Sequence, residues 1–397
     1  MFKKLAQTAV QTALGIAALG MAFAAPVRAE GVRGVTDTEI VIGTYTDLSG
    51  VTAMWGVNNN NAWRMVYDEV NAAGGIHGRK IKYITEDNQY TVPRSVQAAN
   101  KLINRDNVFM MVANGGTPMN NATMPDQLAK NVPNIFPLTS ARSMYYPLHP
   151  LKLGLAASYY DQMRAGIKLF VETRGRKSVC AMSQDTDFGR DIMDGVRDQL
   201  KAMNLTLTAE TLHKPTDADF GAYTARLRDS NCDLVILGTI VKDTIQIVAS
   251  AKKMGWNIEF LGQAAIYDDA VAEAPGGLTE GIFTMTPILK LDPEDSRPSV
   301  RAFVEKYKKV GGREPNFAAQ IGYTAAQLTV LGLKNAGRDL TVQSLMAGFE
   351  SIKDWRDDFG SPAMTFSATK HQGSDSSYLC VVKGGRWVPV STSPYGY

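Results

Sequence analysis

The hydrophobic positions of this chain switch repeatedly between two periods. Short apolar or alternating runs at Ile40-Val41-Ile42-Gly43, Lys80-Ile81-Lys82-Tyr83-Ile84 and Val108 to Val112 read as strands. Between them, Ala62, Met65, Val66, Val70 and Ala73 share one helical face, which Gly74-Gly75 ends. Val96, Ala99, Leu102 and Ile103 form a second helical stripe. The rhythm restarts with a strand from Ser178 to Met182, followed by a helix carrying Ile192, Val196, Leu200 and Met203. A further strand, Leu234-Val235-Ile236-Leu237, precedes a helix marked by Ile245, Val248, Ala251 and Met254. Repeated βαβ units predict an α/β fold with parallel sheets covered on both faces, and two such blocks predict two similar lobes. Ligands of such sheets gather beyond the carboxyl ends of the strands. The loops 44–56, 113–117, 137–141, 183–190, 238–243 and 262–269 are therefore the informative ones.

The amino terminus breaks this pattern. Lys3 and Lys4 precede an apolar run from Ala13 to Pro26 and a small residue, Ala29. This is the pattern of a secretory signal peptide, cut near Ala29, and the run is too short to span a bilayer comfortably. The mature chain is expected to be periplasmic and, with no cysteine after the cut, free of a lipid anchor. Residues 1–29 hold Lys3, Lys4 and Arg28 and no acid, which leaves 39 basic against 39 acidic residues. That balance gives no electrostatic reason to expect nucleic acid or an anionic membrane as partner. About 370 mature residues exceed a usual single core, so two domains are expected. Three cysteines, Cys180, Cys232 and Cys380, are too few for a disulfide scaffold; one pair can bridge, and buried thiols fit equally well.

Enzymatic signatures are missing. The chain has no G-x-S-x-G elbow, no G-x-x-x-x-G-K-[ST] loop and no G-x-G-x-x-G after a strand. His77, His149, His213 and His371 have no partner at metal-ligand spacing and read as surface or turn residues, so no metal or cofactor is expected. Asp185 and Asp187, before a helix, read as capping acids. The expectation is a binding protein rather than an enzyme, with a secreted enzyme on a doubly wound fold as the contrary reading.

Two blocks carry a family resemblance: Ile40 through Thr44-Tyr45-Thr46-Asp47-Leu48-Ser49-Gly50, and Asp68-Glu69-Val70-Asn71-Ala72-Ala73-Gly74-Gly75-Ile76-His77-Gly78-Arg79-Lys80-Ile81. Shorter matches are Asp187-Phe188-Gly189-Arg190 and Gly276-Gly277 leading to Glu280-Gly281-Ile282-Phe283. The chain resembles the periplasmic binding proteins of branched-chain amino acid type ABC transporters, the leucine/isoleucine/valine-binding group. The resemblance implies a type I periplasmic-binding fold, two Rossmann-like lobes joined by a three-segment hinge that encloses ligand. On that basis lobe 1 takes residues 30–155 plus 286–362 and lobe 2 takes 156–285 plus 363–397, with crossings near 154–157, 284–287 and 361–366. The implied partners are a small-molecule ligand and membrane permease subunits with cytoplasmic ATPases; the chain is expected to be a monomer. A ligand-sensing receptor of the same fold is the alternative use.

The resemblance also implies a site. A ligand carboxylate is expected on Asn114, Gly115 and Thr117 of one loop and on Leu138, Thr139 and Ser140 of another. Trp55 matches an aromatic that packs over the ligand, and Phe188 a wall position on the second lobe; Tyr45 and Tyr159 are further candidates. The second lobe departs from the family at Ile240 and in Gly262-Gln263-Ala264-Ala265, where Ala264 replaces the acid that holds an ammonium. Burying an ammonium without a carboxylate costs several kcal/mol. The reading is therefore a carboxylate with an apolar body, an aromatic acid first, with an amino acid held by Asp268 or Asp185 as the alternative.

Overall fold

A computed structural model of the chain describes residues 31–292 and 294–397. The expected signal segment lies outside the described residues. No helix among the described residues is long and apolar enough to cross a membrane.

The first sheet contains β1 (Glu39–Thr46), β2 (Lys80–Asp87), β3 (Met110–Val112), β4 (Asn134–Ile135) and β5 (Lys152–Leu153) in the order β2-β1-β3-β4-β5. All its pairings are parallel. Helices α1 (Ala53–Ala72), α2 (Val92–Asn100) and α3 (Thr117–Ala129) connect the strands. The second sheet contains β6 (Val179–Gln184), β7 (Ala209–His213), β8 (Leu234–Gly238), β9 (Phe260–Gly262), β10 (Phe283–Thr286), β11 (Tyr378–Lys383) and β12 (Arg386–Pro389). Its order is β12-β11-β10-β9-β8-β6-β7. Helices α4 (Tyr159–Arg174), α5 (Asp187–Ala202), α6 (Gly221–Arg228), α7 (Val241–Lys253) and the short α8 (Asp269–Ala272) accompany it. The chain then returns with α9 (Pro298–Gly311), α10 (Phe317–Asn335) and α11 (Val342–Glu350). The second sheet is not wholly parallel: β11 runs antiparallel to β10 and turns through Gly384 and Gly385 into antiparallel β12.

Helix α1 starts nine residues before its apolar stripe because Asn58, Asn59 and Asn60 are buried. Each amide is used: Asn58 accepts from the Tyr307 hydroxyl, Asn59 donates to the Ala318 carbonyl, and Asn60 accepts from Thr85. Gly322 on α10 faces the Asn59 carbonyl, where a side chain would collide with backbone, so the two helices pack closely.

Three segments pass between the sheets. Residues 154–157 run beside 371–373, with Gly154 bridged to Gln372. β10 continues through Pro287 and Ile288 toward α10, where Gln320 receives the Leu291 N–H. Met364 and Phe366 are buried in the first core, with Phe366 5.6 Å from Phe136 in ring centroids. Gly154 meets the chain at His371 to Gly373, several residues later.

Cys180 and Cys232 form a disulfide that ties β6 to the turn before β8, and Cys380 is a buried thiol. Two histidines are not the surface residues expected. His213 is buried beside Asp243 at 3.2 Å, and His371 is buried beside Glu350 at 3.2 Å.

Candidate functional site

The carboxyl ends of both sheets face one cleft of about 1160 Å³, its mouth included. Four helices begin at its wall: α1 at Met54-Trp55-Gly56, α3 at Thr117, α5 at Phe188 and α7 at Val241. Each presents its positive dipole end, so the backbone field favours an anion.

Each half brings an aromatic to the cleft by the same device. In Trp55-Gly56 and Phe188-Gly189 the aromatic lines the cavity and the glycine lets the first helical turn approach a carbonyl. A side chain on Gly56 would lie 1.9 Å from the Asp47 carbonyl oxygen, and one on Gly189 1.9 Å from that of Gln184. Trp55 meets Phe317 edge-on at 6.0 Å, and Phe188 meets Tyr159 at 5.2 Å.

On the first wall, Ala113 and Phe136 adopt left-handed backbone (φ 52° and 45°) at the ends of β3 and β4. Such conformations are uncommon outside glycine and cluster at functional loops. They turn the two following loops side by side, where Gly115 bridges Leu138. The Gly116 and Leu138 N–H groups are used within this pairing, and that of Gly115 donates to the Tyr45 carbonyl of β1. The Ser140 N–H lies against the Tyr159 hydroxyl, while that of Thr117, at the start of α3, donates to no carbonyl of the neighbouring loops and is placed to meet an anion. The Thr117 and Thr139 hydroxyls meet at 2.7 Å. Thr46, also on the wall, has a buried hydroxyl with no partner.

Ten of the thirteen expected residues line the cavity: Trp55, Gly115, Thr117, Leu138, Thr139, Ser140, Tyr159, Phe188, Ile240 and Ala264. Three do not. Asn114 is buried behind its loop, accepting from the Tyr45 N–H and donating to Asn134. Tyr45 bonds Thr123 at 2.6 Å within the core. Gln263 caps the Ala264–Ile266 turn and donates to the Thr239 carbonyl, so it serves the loop rather than the cleft.

The acids are all otherwise engaged. Asp47, on the wall, accepts from the Ser49, Gly50 and Thr52 N–H groups and from the Thr52 hydroxyl. Asp185 and Asp187 are not helix caps: Thr186 holds that position, while Asp185 and Asp187 pair with Arg190 and Asp187 also accepts from Asn121. Asp268 caps Ala270 away from the cleft, and burial pushes its carboxyl up to about 6. Asp191 accepts from the Arg142 N–H across the cleft margin, and burial pushes it up to about 7. The opposite margin closes on Tyr267 and Phe317, 4.8 Å apart in ring centroids. Burial holds the Tyr90 hydroxyl, on the wall, well above the usual phenol range. No group of three or more His, Cys, Asp or Glu among the described residues is placed to hold a metal.

Wall residues without a local sequence signal include Thr46, Tyr90, Tyr145, Leu155, Ile288 and Ile321. Asp47 had one, since an aspartate followed by Ser49-Gly50 and Thr52 is the composition of a side-chain-bonded turn.

A family model described as periplasmic binding protein matches residues 39–386. The leucine-specific-binding protein of Salmonella typhimurium is 24% identical over 280 residues, covering 70% of this chain and 73% of that protein. Leu/Ile/Val-binding protein homolog 4 of Brucella melitensis is 25% identical over 344 residues, covering 82% and 78%. A solved fatty acid ABC transporter substrate-binding protein from Thermomonospora curvata superposes with TM-score 0.81 at 23% identity, covering 93% of this chain and 95% of that one. These likenesses establish two lobes of the type I arrangement.

Proposed function

Because the chain belongs to the periplasmic binding protein family, we propose that it is the extracytoplasmic receptor of an ABC importer and captures a small carboxylic acid with an apolar, preferably aromatic, body. Its partners are then permease subunits in the membrane, with ATPases behind them. Ligand bound between two walls favours the closed form by its differential affinity, and the closed form is what a membrane partner can distinguish.

The observation that carries the ligand class is the charge of the walls. The first offers the Thr117 N–H, the hydroxyls of Thr46, Thr117, Thr139 and Ser140, and helix amino termini. The second offers Phe188, Ile240, Val241, Ala264 and Ala265. The one wall carboxylate, Asp47, already holds four donors. An ammonium has no counter-charge there, whereas a carboxylate has several donors. The relative named as binding fatty acid supports an acid with an apolar body. The relatives named for leucine support the second reading, an amino acid ligand.

The site residues are tested by substitution. Calorimetry with 3-phenylpropanoate should show Trp55→Ala and Ser140→Ala each weakening binding by about tenfold or more, the scale of one hydrogen bond to a charged group or one aromatic contact. Both variants should keep native circular dichroism. Unchanged affinity in both would remove these residues from the site.

A further inference from the structure

Asp161 sits in the first turn of α4, directly after the passage at 154–157, and is 4% exposed. Its capping box with Ser158 explains one donor, the Ser158 N–H at 3.0 Å, and the adjoining Ser158 hydroxyl supplies a second at 2.7 Å. The same carboxylate accepts three more. Gln372 Nε2 reaches it from the return passage at 2.6 Å, the Tyr145 hydroxyl from the first cavity wall at 3.2 Å, and the Tyr397 hydroxyl from the chain end at 2.9 Å. Helix capping requires none of these three. The Tyr145 ring lies against Gly154 and lines the cavity, so its hydroxyl is anchored at the passage while its face meets the ligand space.

The next side chain does the same toward the other wall. Gln162 is fully buried. Its Nε2 donates to the Ala157 carbonyl at 2.9 Å, and its Oε1 accepts the Ala264 N–H at 2.8 Å. Ala264 begins the turn that forms the second wall. Two adjacent side chains thus join the passage segments to opposite sides of one cavity. A buried hydrogen-bond network of this kind, with its members satisfied, has few alternative arrangements.

We propose that Asp161 and Gln162 are positioning residues for ligand binding, fixing Tyr145 on one wall and Ala264 on the other to the segments that cross between the two sheets. Movement at the passage then reaches both walls together, and occupancy of the cavity bears on the passage. This rests on the cavity being the ligand site.

The experiment uses the full mature chain and the variants Asp161→Asn and Gln162→Met, which keep side-chain volume. Small-angle X-ray scattering without ligand should give a larger radius of gyration for both variants than for wild type, with unchanged circular dichroism. Calorimetry and stopped-flow binding with 3-phenylpropanoate and with leucine should show the ligand that binds wild type held about tenfold more weakly, chiefly through faster dissociation. Tyr145→Phe should make Asp161→Asn less costly to affinity than it is in wild type. Wild-type scattering and affinity in both variants would overturn the proposal, as would equal costs of Asp161→Asn in the two backgrounds. If wild type binds neither compound, the ligand reading falls and scattering alone decides this one. Should Asp161→Asn fail to fold, Gln162→Met, which keeps the carboxylate, decides it.

Discussion

Replacing Cys180 and Cys232 together by alanine is expected to lower stability by about 4 kcal/mol, the chain-entropy value for a loop of this length. The bond closes 52 residues of sequence that include β7 and α6. Opening it enlarges the unfolded ensemble while leaving the folded contacts in place. Cys180 is fully buried in β6, so alanine substitution adds the loss of some packing. Denaturant unfolding of wild type with and without reductant, beside the double variant, measures the effect. The midpoint should fall by either route, somewhat further in the double variant because of the lost packing at Cys180. A midpoint indifferent to reductant would show that the bond adds nothing to stability. Cys380, buried against the Tyr267 hydroxyl, is a thiol that burial pushes up to about 11, so it should not exchange with the pair under native conditions.

Gly56→Ala, like its counterpart Gly189→Ala, should be a highly damaging single methyl group at the cleft. Its added carbon would sit 1.9 Å from the Asp47 carbonyl oxygen and 2.9 Å from Thr46 Oγ1. Backbone cannot swing aside as a side-chain tip can, so α1 must retreat from the loop that Asp47 organises. The expected cost is about 3 kcal/mol, the upper part of the range for overpacking, with loss of ligand binding because Trp55 moves with the helix. Gly262→Ala is the control. There the added carbon meets the flexible end of Ile266 at 2.2 Å, and rotation of that side chain should confine the loss to a fraction of the Gly56 value. Equal effects of the two substitutions on unfolding midpoint would contradict the backbone argument.

Much of the fold is legible in the sequence because its strands are short, apolar and well separated, as at Val179–Gln184 and Leu234–Gly238. The start of α1 is hidden in the sequence because its first turns carry four consecutive asparagines, three of them buried by contacts with α9, α10 and β2 that no local pattern reveals. Met364 and Phe366 look in sequence like any apolar pair, and only the packing with Phe136 shows which core they join. Most of the wall could be named from motif position, Trp55, Ser140, Phe188 and Ala264 among them. Asn114 and Gln263 could not be told from ligand contacts, since an amide that braces its own loop and one that faces a ligand occupy the same turn. Ile321 and Tyr145 reach the cavity through distant packing, and no spacing announces them.

The central claim is that the cavity selects a carboxylate and rejects an ammonium. A thermal-shift panel pairing 3-phenylpropanoate with phenylalanine and phenethylamine, and 4-methylpentanoate with leucine, tests it most directly. Each set keeps the body and changes only the charged groups, and ligand at about a hundred times Kd stabilises the folded state by about 2.7 kcal/mol. The account predicts that the acids raise the unfolding midpoint while the amino acids and the amine leave it in place. Stabilisation by leucine or phenylalanine at low micromolar concentration, with none by the acids, would contradict it.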